Sequence, residues 1–303
     1  MADRRRKGAE GPDRRLYGRL GAAGHHRRGR IGLGGRRRPA DRRRAGAGRG
    51  PAGPRGRDAH GHSRAARSAR PGGTRGLRRD IRTAVSLVAV LPVKRFSTAK
   101  ERLAEDGLTA GERMALATGM LSDVLAALRR CEAIDDVVVV TGEPGAEAMA
   151  RGAGAQVLPD SPQDDHSDAA VRGVQWAISD GAFAALLVAT DTPALDPADV
   201  DRLVDSIGEG PEVVIVPDRH GEGTNALLLQ PPDVIRPAFG PGSRERHEAL
   251  ARSAGATVTV FECRSLGLDV DTVSDLRALS SSLEPADPQT ASHTRAVLAR
   301  QGR

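Results

Sequence analysis

The sequence predicts a doubly wound α/β domain of about 200 residues, carried within residues 84–283 of the 303-residue chain. Two observations predict it. Several apolar runs are continuous rather than alternating, the pattern of strands covered on both faces of a parallel sheet. Segments of helical period lie between these runs throughout, which is the order of a βαβ fold.

The elements follow in turn. Val85–Leu91, broken only by Ser86, reads as the first buried strand. Pro92 has no N–H to offer and is expected to end its ladder. A cationic loop comes next, with Lys94, Arg95, Ser97, Thr98, Lys100 and Arg102. Thr109 caps a helix to Arg130, with Glu112 at capping-box spacing and Leu116, Met120, Leu121, Val124 and Leu128 at helical spacing. Val137–Val140 is the second strand, Pro144–Arg151 a short helix and Gln156–Leu158 a short strand. Residues 159–168 read as a loop and Ala169–Ser179 as a helix. Phe183–Ala189 is an all-apolar strand that ends in Thr190-Asp191-Thr192-Pro193. Asp196-Pro197 opens a helix to about Ile207, with Pro in its favoured first position. Val213–Val216 and Ala226–Leu229 are strands flanking the Gly-bearing loop Asp218–Thr224. Ser243 opens a helix to about Ala254, Thr257–Phe261 is a strand and Ser274–Leu279 a short helix. Residues 284–303 are expected to form a loosely held tail.

Charge is unevenly spread. Residues 1–83 carry 26 of the 46 Lys and Arg but six of the 39 acidic residues, about +20, which leaves about −13 for residues 84–303. This leader is Arg, Gly, Pro and Ala with almost no aliphatic clusters. It cannot bury enough apolar surface to offset its ordering entropy, so disorder is expected. A polycationic arm that binds nucleic acid non-specifically is one reading. A translated upstream extension, with the protein proper starting near Thr83, is the favoured one. No apolar core follows the basic start, which excludes an export signal. No run approaches the roughly 18 apolar residues of a membrane span. Cys131 and Cys263 have no CxxC or CxxxH spacing, so a reduced, cytoplasmic protein is expected.

Three places carry candidate chemistry. The cationic loop leaves a buried strand at its carboxyl end, where α/β sheets bind ligands, so Lys94, Arg95 and Lys100 suit phosphate oxygens. A solvated surface loop is the alternative. Asp191 exits a very apolar strand, and Asp269 and Asp271 share one face of an extended segment. Carboxylates converging there suit Mg²⁺. The alternatives make Asp191 a turn former before Pro193 and Asp271 a helix cap. The common nucleotide signatures, GxxxxGK[ST] and a GxGxxG after the first strand, are absent.

Five stretches in this order, LPVKRFSTAKERL (91–103), DTPAL (191–195), DRHGEGTNALL (218–228), FGPGSRERH (239–247) and LDVDTVSDL (268–276), resemble one family. It is the guanylyltransferase of deazaflavin coenzyme F-420 biosynthesis, in its form acting on phosphoenolpyruvate or 2-phospholactate. The resemblance spans about residues 84–297 and implies a three-layer α/β/α nucleotidyltransferase fold. It implies transfer of GMP from GTP to phosphoenolpyruvate with release of pyrophosphate, and a contact with the next enzyme of the pathway. Thr224, Gly240 and Ser243 match the acceptor-binding positions. A Thr hydroxyl, a Gly N–H and a Ser at a helix start also make a physical anion site, to which Arg244 and Arg246 can add charge. Asp191 with Asp269 or Asp271 would hold Mg²⁺. Pro92, Lys94, Arg95, Lys100 and Asp168 fall on the nucleotide side, with Lys94, Lys100 and Asp191 as the catalytic set. His220 and His247 are read as surface or structural. One stretch departs from the family: Ser167-Asp168-Ala169 stands where a Leu-Asn-Ala run is usual. A carboxylate at Asp168 still accepts from guanine N–H groups, but it cannot donate.

Overall fold

In the computed structural model, residues 86–161 and 165–302 are described, all within one compact unit, Ser68–Arg303. The expectations for residues 1–83 lie outside them. Seven strands form one sheet: β1 (Leu87–Val93), β2 (Asp136–Thr141), β3 (Gln156–Pro159), β4 (Ala184–Val188), β5 (Glu212–Pro217), β6 (Thr224–Gln230) and β7 (Thr257–Val260). Their order is β3-β2-β1-β4-β6-β5-β7. All neighbours are parallel except β6, which runs antiparallel to both β4 and β5. That reversal puts the start of β6, Thr224 and Asn225, at the carboxyl ends of the parallel strands.

The helices are α1 (Arg102–Glu105), α2 (Ala110–Leu128), α3 (Pro144–Gly152), α4 (His166–Ser179), α5 (Pro197–Asp205), α6 (Ser243–Ser253), α7 (Arg264–Gly267), α8 (Val273–Leu283) and α9 (Ser292–Arg300). Alternate residues of β1 feed two cores, as the period of two requires. Leu87, Ala89 and Leu91 pack with Leu121, Ala146 and Leu203 of α2, α3 and α5. Val88 and Val90 pack with Ala170 and Val174 of α4 and Ala251 of α6. The result is the expected three-layer α/β/α sandwich. On the α4 side Gly173 permits close approach, since a Cβ there would lie 2.2 Å from Val90 Cγ1.

Three expectations need correction. Pro92 does not end β1; it pairs with Val140 in register, and the strand runs on to Val93. The pairing with β4 stops at Val90, so beyond it only one side of β1 needs ladder donors and Pro92 is tolerated. Helix α4 starts at His166, three residues before the apolar pattern, because Asp165 and Asp168 form a capping box. Residues 284–302 are not a loose tail. Their helix α9 packs Val297 and Leu298 against Leu116, Met120 and Val270. The buried Asp123 carboxylate accepts from His293 N (3.0 Å), Thr294 N (2.8 Å) and Thr294 Oγ1 (2.7 Å), and also contacts His293 Nδ1 (2.9 Å).

Candidate active site

Two clefts open beside the sheet. The larger, about 550 Å³, is lined by Arg219, His220, Arg244 and Arg264 and holds none of the three carboxylates. The smaller, about 300 Å³, is lined by Pro92, Lys94, Lys100, His166, Asp191 and Asp271. Convergent polar groups, not volume, mark a site for chemistry, and they lie in the smaller cleft.

Lys100 is its centre. The ammonium is ion-paired with Asp191 and, at 2.9 Å, with Asp271. Burial alone would lower its pKa; Asp191 and Asp271 outweigh burial, and the net push is upward. The Lys100 backbone sits at φ 58°, a left-handed conformation that disfavours a side chain. Asp271 does not cap α8, because Thr272 does. Burial pushes the Asp271 carboxyl up, but Lys100 holds it below the usual range. Burial, and then the nearby Asp191 charge, push Asp269 up to about 6. Asn225 Nδ2 donates to Asp269 Oδ1 at 3.1 Å.

One oxygen from each of Asp191, Asp269 and Asp271 lies within 4.8 Å of the others. An all-carboxylate set of this spacing fits a hard divalent cation such as Mg²⁺. The ammonium held against two of the three shows that the cluster already favours positive charge.

The expected nucleotide residues divide. Pro92, Lys94 and Lys100 line the cleft; Arg95 is exposed and outside its lining. The Asp168 carboxylate completes the α4 capping box and pairs with Arg236 at 2.9 Å. His166, two residues earlier, faces the cleft instead. Burial, then Lys94, hold its imidazole below the ordinary histidine range. Its ring stacks edge-on against Phe239, with centroids 5.2 Å apart.

Among the residues expected to bind the acceptor, Ser243 Oγ donates to Thr224 Oγ1 at 3.3 Å. Ala238 N donates to His247 Nε2 at 2.9 Å, so the neutral ring carries its proton on Nδ1. Nδ1, 3.1 Å from Thr224 Oγ1, is then a donor as well. Gly240 turns at φ 107°, and Ser243 N donates to its carbonyl at 3.0 Å. Arg244 N donates to Glu222 O at 3.2 Å, so two amides at the start of α6 are already used. Arg244 pairs with Glu248, and Arg246 wraps the carbonyls of Ala238 and Phe239. Both arginines are thus engaged with protein oxygens. Thr224 Oγ1 accepts twice, from Ser243 Oγ and from His247 Nδ1.

Sequence reasoning missed His166 and Asn225. The signal for Asn225 was present: it directly precedes the apolar run Ala226–Leu229 and is the buried amide of β6. His166 gave none, being hidden in a segment read as loop.

Comparison with known proteins bears on the whole arrangement. The model of the family described as "Guanylyl transferase CofC like" matches residues 87–284. A protein of Conexibacter woesei named phosphoenolpyruvate guanylyltransferase is 49% identical over 215 residues, 71% of this chain and 96% of that protein. One of the same name from Sphaerobacter thermophilus is 38% identical, covering 65% of this chain and 93% of the relative. A solved nucleotidyl transferase from Methanothermobacter thermautotroptrophicus shares the fold at TM-score 0.50 and 23% identity, over 66% of this chain and 99% of that one. The chain thus belongs to the CofC-like guanylyl transferase family and is a nucleotidyltransferase.

Proposed function

We propose that the protein transfers GMP from GTP to phosphoenolpyruvate, giving enolpyruvyl-diphospho-guanosine and pyrophosphate in coenzyme F-420 biosynthesis. The observation that carries the reading is the join at the start of β6. Thr224 belongs to the hydroxyl pair, and its neighbour Asn225 bonds the carboxylate cluster. Consecutive backbone positions thus tie the two groups together at the carboxyl ends of the parallel strands. The names of the relatives supply the acceptor and the guanylyl group.

The acceptor is a phosphate monoester and brings its own oxyanion. Its oxygen forms the bond to the α-phosphorus while the bridge to the β-phosphate breaks, and the electron pair leaves with pyrophosphate. No strong general base is needed. The protein's task is to bring two anions together and to spread charge. Lys94 and Lys100 line the cleft for triphosphate oxygens. Thr224 presents its hydroxyl hydrogen to the acceptor, and Ser243, by donating to Thr224 Oγ1, holds that hydroxyl in place. Mg²⁺ held by Asp191, Asp269 and Asp271 would polarise phosphoryl oxygens. Both substrates are water-soluble anions, consistent with a cytoplasmic reaction, and no helix among the described residues is long and apolar enough to cross a membrane. The leader would add salt-sensitive nucleic-acid binding, and hand-over to the next enzyme of the pathway completes the expected partners.

The test is to incubate the protein with GTP, Mg²⁺ and, separately, phosphoenolpyruvate, 2-phospholactate or 3-phosphoglycerate, following pyrophosphate and the coupled product by mass. The expected result is fastest turnover with phosphoenolpyruvate. Equal or faster turnover with another acceptor overturns that part of the assignment. Asp191→Asn should lose about a thousandfold in turnover while still folding.

A further inference from the structure

The carboxylates of the cluster sit on two segments far apart in sequence. Asp191 follows β4, and Asp269 and Asp271 follow α7. Something must hold both segments to one frame. Asn225 touches each. Its backbone carbonyl accepts from Ala189 N at 2.7 Å, two residues before Asp191. Its side-chain Nδ2 has two hydrogens to give. One goes to Leu266 O at 3.0 Å and the other to Asp269 Oδ1 at 3.1 Å. Val270 N donates to Asp191 O at 3.2 Å and closes the triangle. The residue is 6% exposed, so neither amide hydrogen has water as a ready substitute.

We propose that Asn225 is a positioning residue for the carboxylate cluster, fixing the Asp269 carboxylate through its amide while its main chain fixes the strand that delivers Asp191. The inference rests on the metal reading above and adds to it the residue that orients a ligand. The amide takes Oδ1 of Asp269 and leaves Oδ2 for a cation. Partners that orient ligating carboxylates in this way typically change metal affinity 10- to 100-fold when removed.

The experiment is a Mn²⁺ titration of the full chain, read from the electron paramagnetic resonance signal of free Mn²⁺. Asn225→Ala should weaken Mn²⁺ binding about 10- to 100-fold, with the far-ultraviolet circular dichroism unchanged. Asn225→Ala orphans Leu266 O as well, so Asn225→Ser, smaller but still polar, is measured beside it and should shift affinity in the same direction. In an Asp269→Asn background, Asn225→Ala should cost nothing further, because the effect runs through Asp269. Wild-type affinity in both folded variants overturns the inference, and so does an equal loss in the Asp269→Asn background. Wild-type protein that binds no Mn²⁺ overturns the metal reading itself and this inference with it.

Discussion

Thr224 Oγ1 receives hydrogen bonds from Ser243 Oγ and His247 Nδ1, which leaves its own hydrogen for an incoming oxygen. Such a bond to a charged group contributes roughly 1.5–3 kcal/mol. Thr224→Val should therefore weaken apparent acceptor affinity about 10- to 100-fold with GTP little changed; titrating each substrate against the variant checks this. Weakened GTP with unchanged acceptor would reverse the two half-sites. His247 has a separate role. It is fully buried, and burial, with Arg246 adding to it, lowers its pKa to about 4. The folded state keeps the ring neutral, whereas the unfolded chain takes up a proton below about 6.5. Its stabilisation is thus complete above pH 6.5 and is lost as pH falls toward 4, by roughly 3 kcal/mol in all. Urea unfolding at several pH values should show this decline in the wild type and a flatter profile in His247→Gln. Thr224 and Ser243 were legible as residues of a motif. His247 was read as surface or structural, although its spacing from Ser243 puts both on one face of α6, which was the usable clue.

At the scale of elements the strands were the easiest to read, since β1, β2 and β4 are buried on both faces and show it as unbroken apolar runs. The direction of β6 was not readable. Its residues are equally apolar whichever way it runs, and direction is set by which connection closes. Yet that direction brings Thr224 and Asn225 to the site. The first turn of α4 was hidden for a different reason: its caps are two aspartates rather than Ser or Thr with Glu, and the polar turn carries no periodicity. Helix α4 meets the sheet at Gly173, and a methyl there would lie 2.2 Å from Val90 Cγ1 and 3.3 Å from Val140 Cγ2. Gly173→Ala should destabilise by about 1–3 kcal/mol despite the better helix propensity of alanine. Val90→Ala should recover part of that loss in a double-mutant cycle.

For the molecule as a whole, the C-terminal segment was the largest misreading. Its few apolar residues looked too sparse to dock, but Asp123 supplies what they lack. That buried carboxylate is 5% exposed and is satisfied almost wholly by His293 and Thr294. Asp123→Ala would leave those donors unpaired and should cost about 3 kcal/mol in urea unfolding. An unchanged midpoint would show that α9 docks by its apolar contacts alone. The same core joins Leu103, just past Lys100, to Val270, between Asp269 and Asp271, and to Val297 and Leu298. This has a consequence for synthesis. Lys100 and Leu298 lie about 200 residues apart, so at 5–20 residues per second roughly 10–40 s separate their emergence. Throughout that interval the nascent chain holds its lysine and first strands without the cluster that seats them. The core that seats Leu103 and Val270 therefore closes only once α9 has emerged, long after the lysine and the first strands.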